Sequence, residues 1–271
     1  MEKITIIGGS DSYGVPYTPD NIEMKSHFHY VVEYLKEQGY DVSAIEFYNT
    51  AHNKTGDFDD YFLKNHSVAE LKKRNRIFVG EYLKRTKFPA TTSFTKKYYV
   101  VDEEDKKAHI TTELQNSPAP IFIYSCGRLD ALQSFGLDPS LNYKKLFKAL
   151  IHPNKTLTEI AKDMKQNLIT IKQYNPNTFI YVLGNYKVIG GRFLSKILPT
   201  FGFFNTFNKK VKEACEEINT QYGNVHFVNI DKAKKHISKG DIHPNAIGQK
   251  VIGQEIIEKV KKSYVYTTEK K

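Results

Sequence analysis

The chain of 271 residues has only two cysteines, Cys126 and Cys215. Two cysteines, each in a segment expected to be buried, give neither a disulfide framework nor a metal-ligand spacing. No run approaches the roughly 18 consecutive apolar residues that a membrane-crossing helix needs. The opening MEKITIIGGSDSYG passes from a short polar start into five strand-like residues and a glycine turn, which leaves no room for the apolar core of a secretion signal. These absences together lead to the expectation of a cytoplasmic protein. Also missing is the G-x-G-x-x-G spacing of a dinucleotide loop, which Gly8, Gly9 and Gly14 do not supply. There is no internal repeat and no nucleic-acid-binding motif.

A net charge of +10, from 40 Lys and Arg against 30 Asp and Glu, would suit an anionic partner. The lysines, however, are spread along amphipathic segments in the pattern of a solvated surface, so no nucleic-acid partner is expected. A hydrophobic share of 40% is enough for an ordinary core. One domain over residues 1–263 is expected, with residues 264–271 as a flexible polar tail.

Short segments rich in β-branched and aromatic residues predict strands at Ile4 to Ile7, Val42 to Phe47, Ile121 to Tyr124, Phe179 to Leu183 and Val225 to Ile230. Between them lie apolar stripes at three- and four-residue spacing. Met24, Phe28, Val31 and Leu35 form one; Leu157, Ile160, Met164, Leu168 and Ile171 a second; Ile247, Val251 and Ile256 a third. Such alternation predicts an α/β fold with a doubly wound, mostly parallel five-stranded sheet and helices on both faces. Residues 65–117, with a helical run around Ala69 to Arg85 and the stretch KKYYVVDEEDKK, read as an insertion after the second strand. The piece GGRFLSKILPTFGFFNTFNKK from Gly190 is aromatic and basic and reads as irregular. It would suit a lid or a weak membrane-surface contact, but burial of its Phe and Leu beside the sheet is the favoured reading.

Two places carry chemistry. Gly8-Gly9-Ser10-Asp11-Ser12-Tyr13-Gly14 follows the first strand directly, and a serine at a glycine-flanked strand-to-helix turn presents its hydroxyl at the rim of the sheet beside free backbone amides. Gly240-Asp241-Ile242-His243-Pro244-Asn245-Ala246-Ile247-Gly248 leads into the last helix, and its histidine, stiffened by proline and close to a carboxylate, is placed to take a serine proton. In a doubly wound sheet both belong at the carboxyl edge of the strands.

With these two segments in place, the sequence resembles the SGNH (GDSL-type) hydrolases. Their first block is similar to Gly8-Gly9-Ser10 with Gly14, and their last to His243-Pro244-Asn245 with Gly248. The place of their second block, after strand two, is filled by Tyr48 to Gly56, with Gly56 as an oxyanion donor. Their third block is similar to Gly127-Arg128-Leu129-Asp130. The blocks stand in the family's order and span nearly the whole chain. The resemblance implies a flavodoxin-like SGNH fold and a serine esterase that needs no cofactor or metal, with Ser10 as nucleophile and His243 as base. Its partner would be a small-molecule ester: a short acyl ester, an acetylated sugar or a lysophospholipid.

Three departures shape the reading. Gly9 stands where the family has aspartate. Leu129 stands where it has the oxyanion asparagine, so either Arg128, Asn53 or another amide replaces it or the enzyme is slow. Gly240 stands where the orienting aspartate belongs, and Asp241, one residue later, is the candidate third member of the triad. These departures also motivate an alternative, a catalytically weak or inactive SGNH-like protein that binds an acyl or glycan ligand; a nucleotide-binding α/β module rests on the glycine turn alone. Ser12 is the lesser nucleophile candidate because Gly14 lies at the wrong distance from it. His152-Pro153-Asn154 repeats the histidine-proline-asparagine string in mid-chain and reads as a turn that starts a helix. His27 and His29, two apart on a helix, do not face one ligand.

Overall fold

A computed structural model of the chain describes residues 3–8, 27–39, 44–49, 94–95, 120–125, 151–186, 202–237 and 244–264. In order, these form β1 (Lys3–Gly8), α1 (His27–Glu37), β2 (Ala44–Asn49), β3 (Phe94–Thr95), β4 (Ile121–Ser125), α2 (Pro153–Tyr174), β5 (Phe179–Leu183), α3 (Phe203–Tyr222), β6 (Val225–Val228), a 3-10 turn (Asp231–His236) and α4 (Ala246–Ser263). The strands make one sheet in the order β3-β2-β1-β4-β5-β6, and every pair is parallel.

The sheet therefore has six described strands where five were expected. The extra one, β3, is two residues long and pairs only Ile45 with Phe94 and Glu46 with Thr95, within the span read as an insertion. So short a strand has no alternation to betray it. The Ala69 to Arg85 run and the KKYYVVDEEDKK stretch lie outside the described residues.

Parallel strands need crossovers, and the helices that supply them pack in two layers. On one face Tyr124 accepts a hydrogen bond from Asn167 of α2 at 3.0 Å, and α2 packs along α3. Tyr181 is one register position off the line of Tyr124 and so points to the other face, where its hydroxyl meets Ser263 of α4 at 2.8 Å. There α4 packs along α1. β5 is accordingly buried at every position.

The α2 stripe is buried as expected at Leu157, Ile160, Met164, Leu168 and Ile171, each contributing about 1.5–3 kcal/mol by leaving water. In α1, Val31 and Leu35 are buried likewise. The expected α4 stripe is wrong in its first half. Ile247 is 57% exposed, and the buried face is Gly248, Gln249, Ile252, Gly253, Ile256 and Val260. Two glycines decide it: a Cβ at Gly253 would lie 2.8 Å from the His27 carbonyl oxygen of α1, and one at Gly248 2.7 Å from the His236 carbonyl oxygen. Neighbouring backbone comes too close for any side chain on that side.

The segment from Gly190 is also corrected in part. Its second half is the regular helix α3, entered through Gly202 at φ 64° and burying Phe203, Phe204 and Phe207, so the expected burial of aromatics holds there. At the end of the chain's described part, Tyr264 packs edge-on against Phe179 at 5.0 Å. No helix of the described residues is long and apolar enough to cross a membrane.

Candidate active site at the carboxyl edge of the sheet

Because all strands run the same way, their carboxyl ends form one edge. Gly8 at the end of β1 is level with Asn49 of β2 on one side and Ser125 of β4 on the other. Here the chain reverses its direction of winding: after β1 it moves outward through β2 and β3, then returns to place β4 on β1's opposite flank. Such a switch point leaves a crevice between adjacent loops that no crossover covers. Ser10 follows β1 by two residues, and Gly127 to Asp130 follow β4 by two to five. Asn53 and Gly56 follow β2.

The side chains of Ser10, Asn53, Gly56, Arg128, Asp241 and His243 lie outside the described residues, as do Ser12, Leu129 and Cys126. The structure places the strand ends from which these segments depart and the frame around the histidine.

That frame is explicit. Residues 238–243, which include Asp241 and His243, are closed at the neck by an antiparallel bridge between Ile237 and Pro244, and the Asn245 amide donates to the His236 carbonyl at 2.8 Å. Pro244 is buried. Asn245 then starts α4: its side-chain oxygen accepts the Gly248 amide at 3.0 Å, capping an otherwise unpaired donor. Gly248 lets the first turn of α4 sit against the 3-10 turn. His243 is thus joined directly to a residue fixed on both sides.

A second firm point stands at the end of β5. Gly184 has no room for a side chain, since a Cβ would come within 2.7 Å of the Phe227 ring. Asn185 is clamped by the Asn208 carboxamide of α3, which accepts its backbone N–H at 2.6 Å and donates to its carbonyl at 2.7 Å. Asn185 itself is only 4% exposed. Neither Asn185 nor Asn208 was singled out from sequence; the Gly184-Asn185 pair at the end of a strand was the available signal.

The other histidines go elsewhere. His152 is exposed and starts α2 with Pro153 in the first turn, as read from sequence. His27 is fully buried at the start of α1, where its backbone N–H and ring Nδ1 lie 3.0 and 2.9 Å from Gln249 Oε1. His226 of β6 stacks between Tyr181, at 5.6 Å, and Phe179, at 6.3 Å. Burial first, then the charges of Lys259 and Lys172, push its pKa down to about 4. It borders a groove of about 530 Å3 on the outer edge of β6, with Cys215 and Asn219 of α3 and Glu255 and Lys259 of α4. Burial pushes the Cys215 thiol up to about 12 and leaves it a poor nucleophile. The groove lies three strand positions from β1, about 14 Å. Among the described residues no cluster of three or more His, Cys, Asp or Glu is placed to hold a metal.

No protein-family model and no curated protein matches the chain. Solved structures do. A lipase from a goat-rumen metagenome matches with a TM-score of 0.54 at 12% identity over 95% of this chain and 97% of its own. An extracellular lipase from Streptomyces rimosus matches with a TM-score of 0.52 at 13% identity over 95% and 99%. A family 3 carbohydrate esterase from Talaromyces cellulolyticus matches with a TM-score of 0.51 at 14% identity over 97% of each chain. Identities this low speak to the backbone alone; with the parallel switch-point sheet, its two helix layers and end-to-end coverage, the chain has an SGNH hydrolase-like fold.

Proposed function

We propose that the protein is a serine esterase that cleaves a carboxylic ester through an acyl-enzyme on Ser10. The observation that carries the reading is the level placement of Gly8, Asn49 and Ser125 at the switch point: the segments resembling the family's first three blocks all depart from one short stretch of edge. The pinned neck before α4 supports the fourth.

In the first step neutral His243 accepts the Ser10 hydroxyl proton as the oxygen attacks the ester carbonyl, and Asp241 orients the imidazole. Negative charge on the carbonyl oxygen is held by the amides of Ser10 and Gly56, with Asn53 and Arg128 as further candidate donors. The imidazolium returns its proton to the departing alcohol. Water then attacks the acyl-enzyme with His243 again as base, releasing the acid and the free serine. The substrate class is that of a short acyl ester, an acetylated sugar or a lysophospholipid, in keeping with the neighbours, which are described as lipases and carbohydrate esterases. We place the protein in the cytoplasm, on its scarcity of cysteine.

A fluorophosphonate, which reports an activated serine, and a panel of p-nitrophenyl esters of graded chain length test the reading. Ser10→Ala is expected to abolish both labelling and turnover, Ser12→Ala to leave most of each, and His243→Ala to remove turnover together with the rise of activity through about pH 6.5 that a neutral imidazole base produces. Wild type that neither labels nor hydrolyses any ester would favour the alternative that Leu129 and Gly240 motivate, a protein that binds an acyl or glycan ligand without cleaving it.

A further inference from the structure

β6 is the last strand of the sheet, and no described strand pairs with its outer side. Backbone groups along a strand alternate between its two sides. The carbonyls of Asn224 and Val228 accept from Ile180 and Gly184 on the β5 side, at 2.8 and 2.9 Å, so the N–H and C=O of Val225 and Phe227 point the other way. The Val225 N–H is taken there by the Asn219 carboxamide oxygen of α3 at 3.0 Å. The Val225 carbonyl and both backbone groups of Phe227 have no hydrogen bond to any described residue. Three backbone groups in a row thus stand unspent along the groove of about 530 Å3 that residues of α3 and α4 wall on either side. A bare strand edge is a template for the addition of another extended chain.

The walls select the charge of that chain. Of their charged side chains, Glu255 pairs with Lys232 at 2.6 Å, Glu258 with Lys261 at 3.4 Å and Lys212 with Glu216 at 3.6 Å. Lys259 and Lys262 of α4 remain as the groove's cations without an ion pair among the described residues, and an occupant that carries carboxylates meets them. Two nearer occupants fit less well. A second copy of this chain would bring an edge equally recessed between its own helices, and two recessed edges cannot meet. The chain's own residues 265–271 continue from Tyr264, which packs on Phe179 at the amino end of β5, so as a strand they would run parallel to β6. α3 joins β5 to β6 across one face of the sheet, whereas α4 lies on the other. A further parallel strand beyond β6 would therefore make a crossover of the opposite hand to β5-α3-β6, and about 98% of such crossovers share one hand. We infer that the outer edge of β6 is a docking site for an extended acidic segment of another protein, bound by strand addition.

The test uses the full chain and a fluorescein-labelled peptide of alternating valine and glutamate, with a valine and lysine peptide and a backbone N-methylated acidic peptide as controls. Fluorescence anisotropy reads the affinity, and amide hydrogen exchange followed by NMR reads the contact. In the free protein the Phe227 amide should exchange fast while those of His226 and Val228, which face β5, are protected. The acidic peptide should bind saturably and protect the Phe227 amide. The lysine peptide should bind at least about tenfold more weakly, and N-methylation at alternate residues should abolish binding. Lys259→Glu together with Lys262→Glu should weaken the acidic peptide about tenfold, the combined worth of a few exposed charge contacts. Failure of the acidic peptide to bind, binding that leaves the Phe227 amide unprotected, or equal binding of the N-methylated peptide overturns the inference. So does a Phe227 amide already protected in the free chain, whether that protection is lost on dilution, as for a second copy, or on removal of residues 265–271, as for the chain's own end.

Discussion

The two helix layers that cover the sheet are built on different principles. The α2 and α3 layer is filled by volume: Leu157, Met164, Leu168 and Ile171 from one helix and Phe203, Phe207, Val211 and Ile218 from the other are all at most 3% exposed. The α1 and α4 layer is closed by proximity. There Gly253 admits α1, Gly248 admits the 3-10 turn, and the buried amide of Gln249 reaches the first turn of α1 at His27. The difference bears on function, since the proximity layer carries the neck of the histidine loop, and the volume layer carries Asn208 and through it the end of β5. One layer is expected to tolerate loss of volume without losing chemistry. The other should lose chemistry to a single methyl group.

The largest effect on stability is therefore expected in the volume layer. Leu168→Ala removes an α2 side chain that is 1% exposed, and large-to-small changes at such sites cost about 2–5 kcal/mol. Urea unfolding should show that loss, whereas kcat of the remaining folded protein, measured on a p-nitrophenyl ester at low temperature, should stay within about twofold. A large fall in kcat at unchanged fold would break the division between the layers.

Gly248→Ala tests the other side of the comparison. The added Cβ would lie 2.7 Å from the His236 carbonyl oxygen and 2.7 Å from the Pro244 Cβ. Neither atom belongs to a flexible side chain's far end, so the helix start and the 3-10 turn must move apart. Overpacking of this kind costs about 1–3 kcal/mol, offset by up to about 1 kcal/mol from the better helix propensity of alanine. The stability change is then smaller than for Leu168→Ala, but the displaced neck carries His243 with it. Turnover should drop at least tenfold while fluorophosphonate labelling slows in parallel. Unchanged kcat would mean that the frame around the histidine is not what sets its position.

These two layers also show how much could be read without the structure. Where volume packs, apolar side chains must recur at helical spacing, and the α2 stripe was legible residue by residue. Where backbones approach closely, glycine and glutamine share the buried face with Ile252, Ile256 and Val260, and the apolar stripe drawn through Ile247 and Val251 pointed the wrong way. The α3 helix had the same legible spacing from Phe203 onward but was hidden by being read together with the residues from Gly190. At the carboxyl edge, Ser10 and His243 could be proposed from sequence because one follows a strand at a pair of glycines and the other precedes a proline at the start of a helix. The Asn185 and Asn208 clamp could not, because it joins residues 23 apart through a geometry that only the folded sheet creates. The neck between Ile237 and Pro244 is of the same kind.

The proximity layer also buries polar groups, and a pH titration sharpens that part of the comparison. His226, stacked on Tyr181 beside α4, has its pKa pushed down to about 4, by burial first and by Lys259 and Lys172 next. Unfolded, it titrates near 6.5. Between those values the unfolded chain takes up a proton that the folded protein refuses, so stability from this group is fully present above about pH 6.5 and is lost as pH falls toward 4. The urea midpoint should decline from pH 7 to pH 5, and the decline should be shallower in His226→Gln. Equal slopes in the two proteins would assign the acid sensitivity to other groups.

The smallest effect is expected at Ile247, and its smallness is the point. If α4 buried the stripe through Ile247, Val251 and Ile256, then Ile247→Lys would drive a charge into the core and cost several kcal/mol. In the structure Ile247 is 57% exposed on the first turn of α4, while Ile252 and Ile256 are fully buried on the face that Gly248 and Gly253 open. A lysine at position 247 then meets water. Surface changes of this sort stay within about 0.5 kcal/mol, so the urea midpoint of Ile247→Lys should match that of wild type. Ile256→Lys should unfold the protein or lower the midpoint sharply, because its side chain has no route to solvent from that face. If both variants proved equally harmful, α4 would be rotated from the orientation that its glycines dictate. The contact of Gly253 with α1 and the seating of Gly248 on the 3-10 turn would then both have to be abandoned.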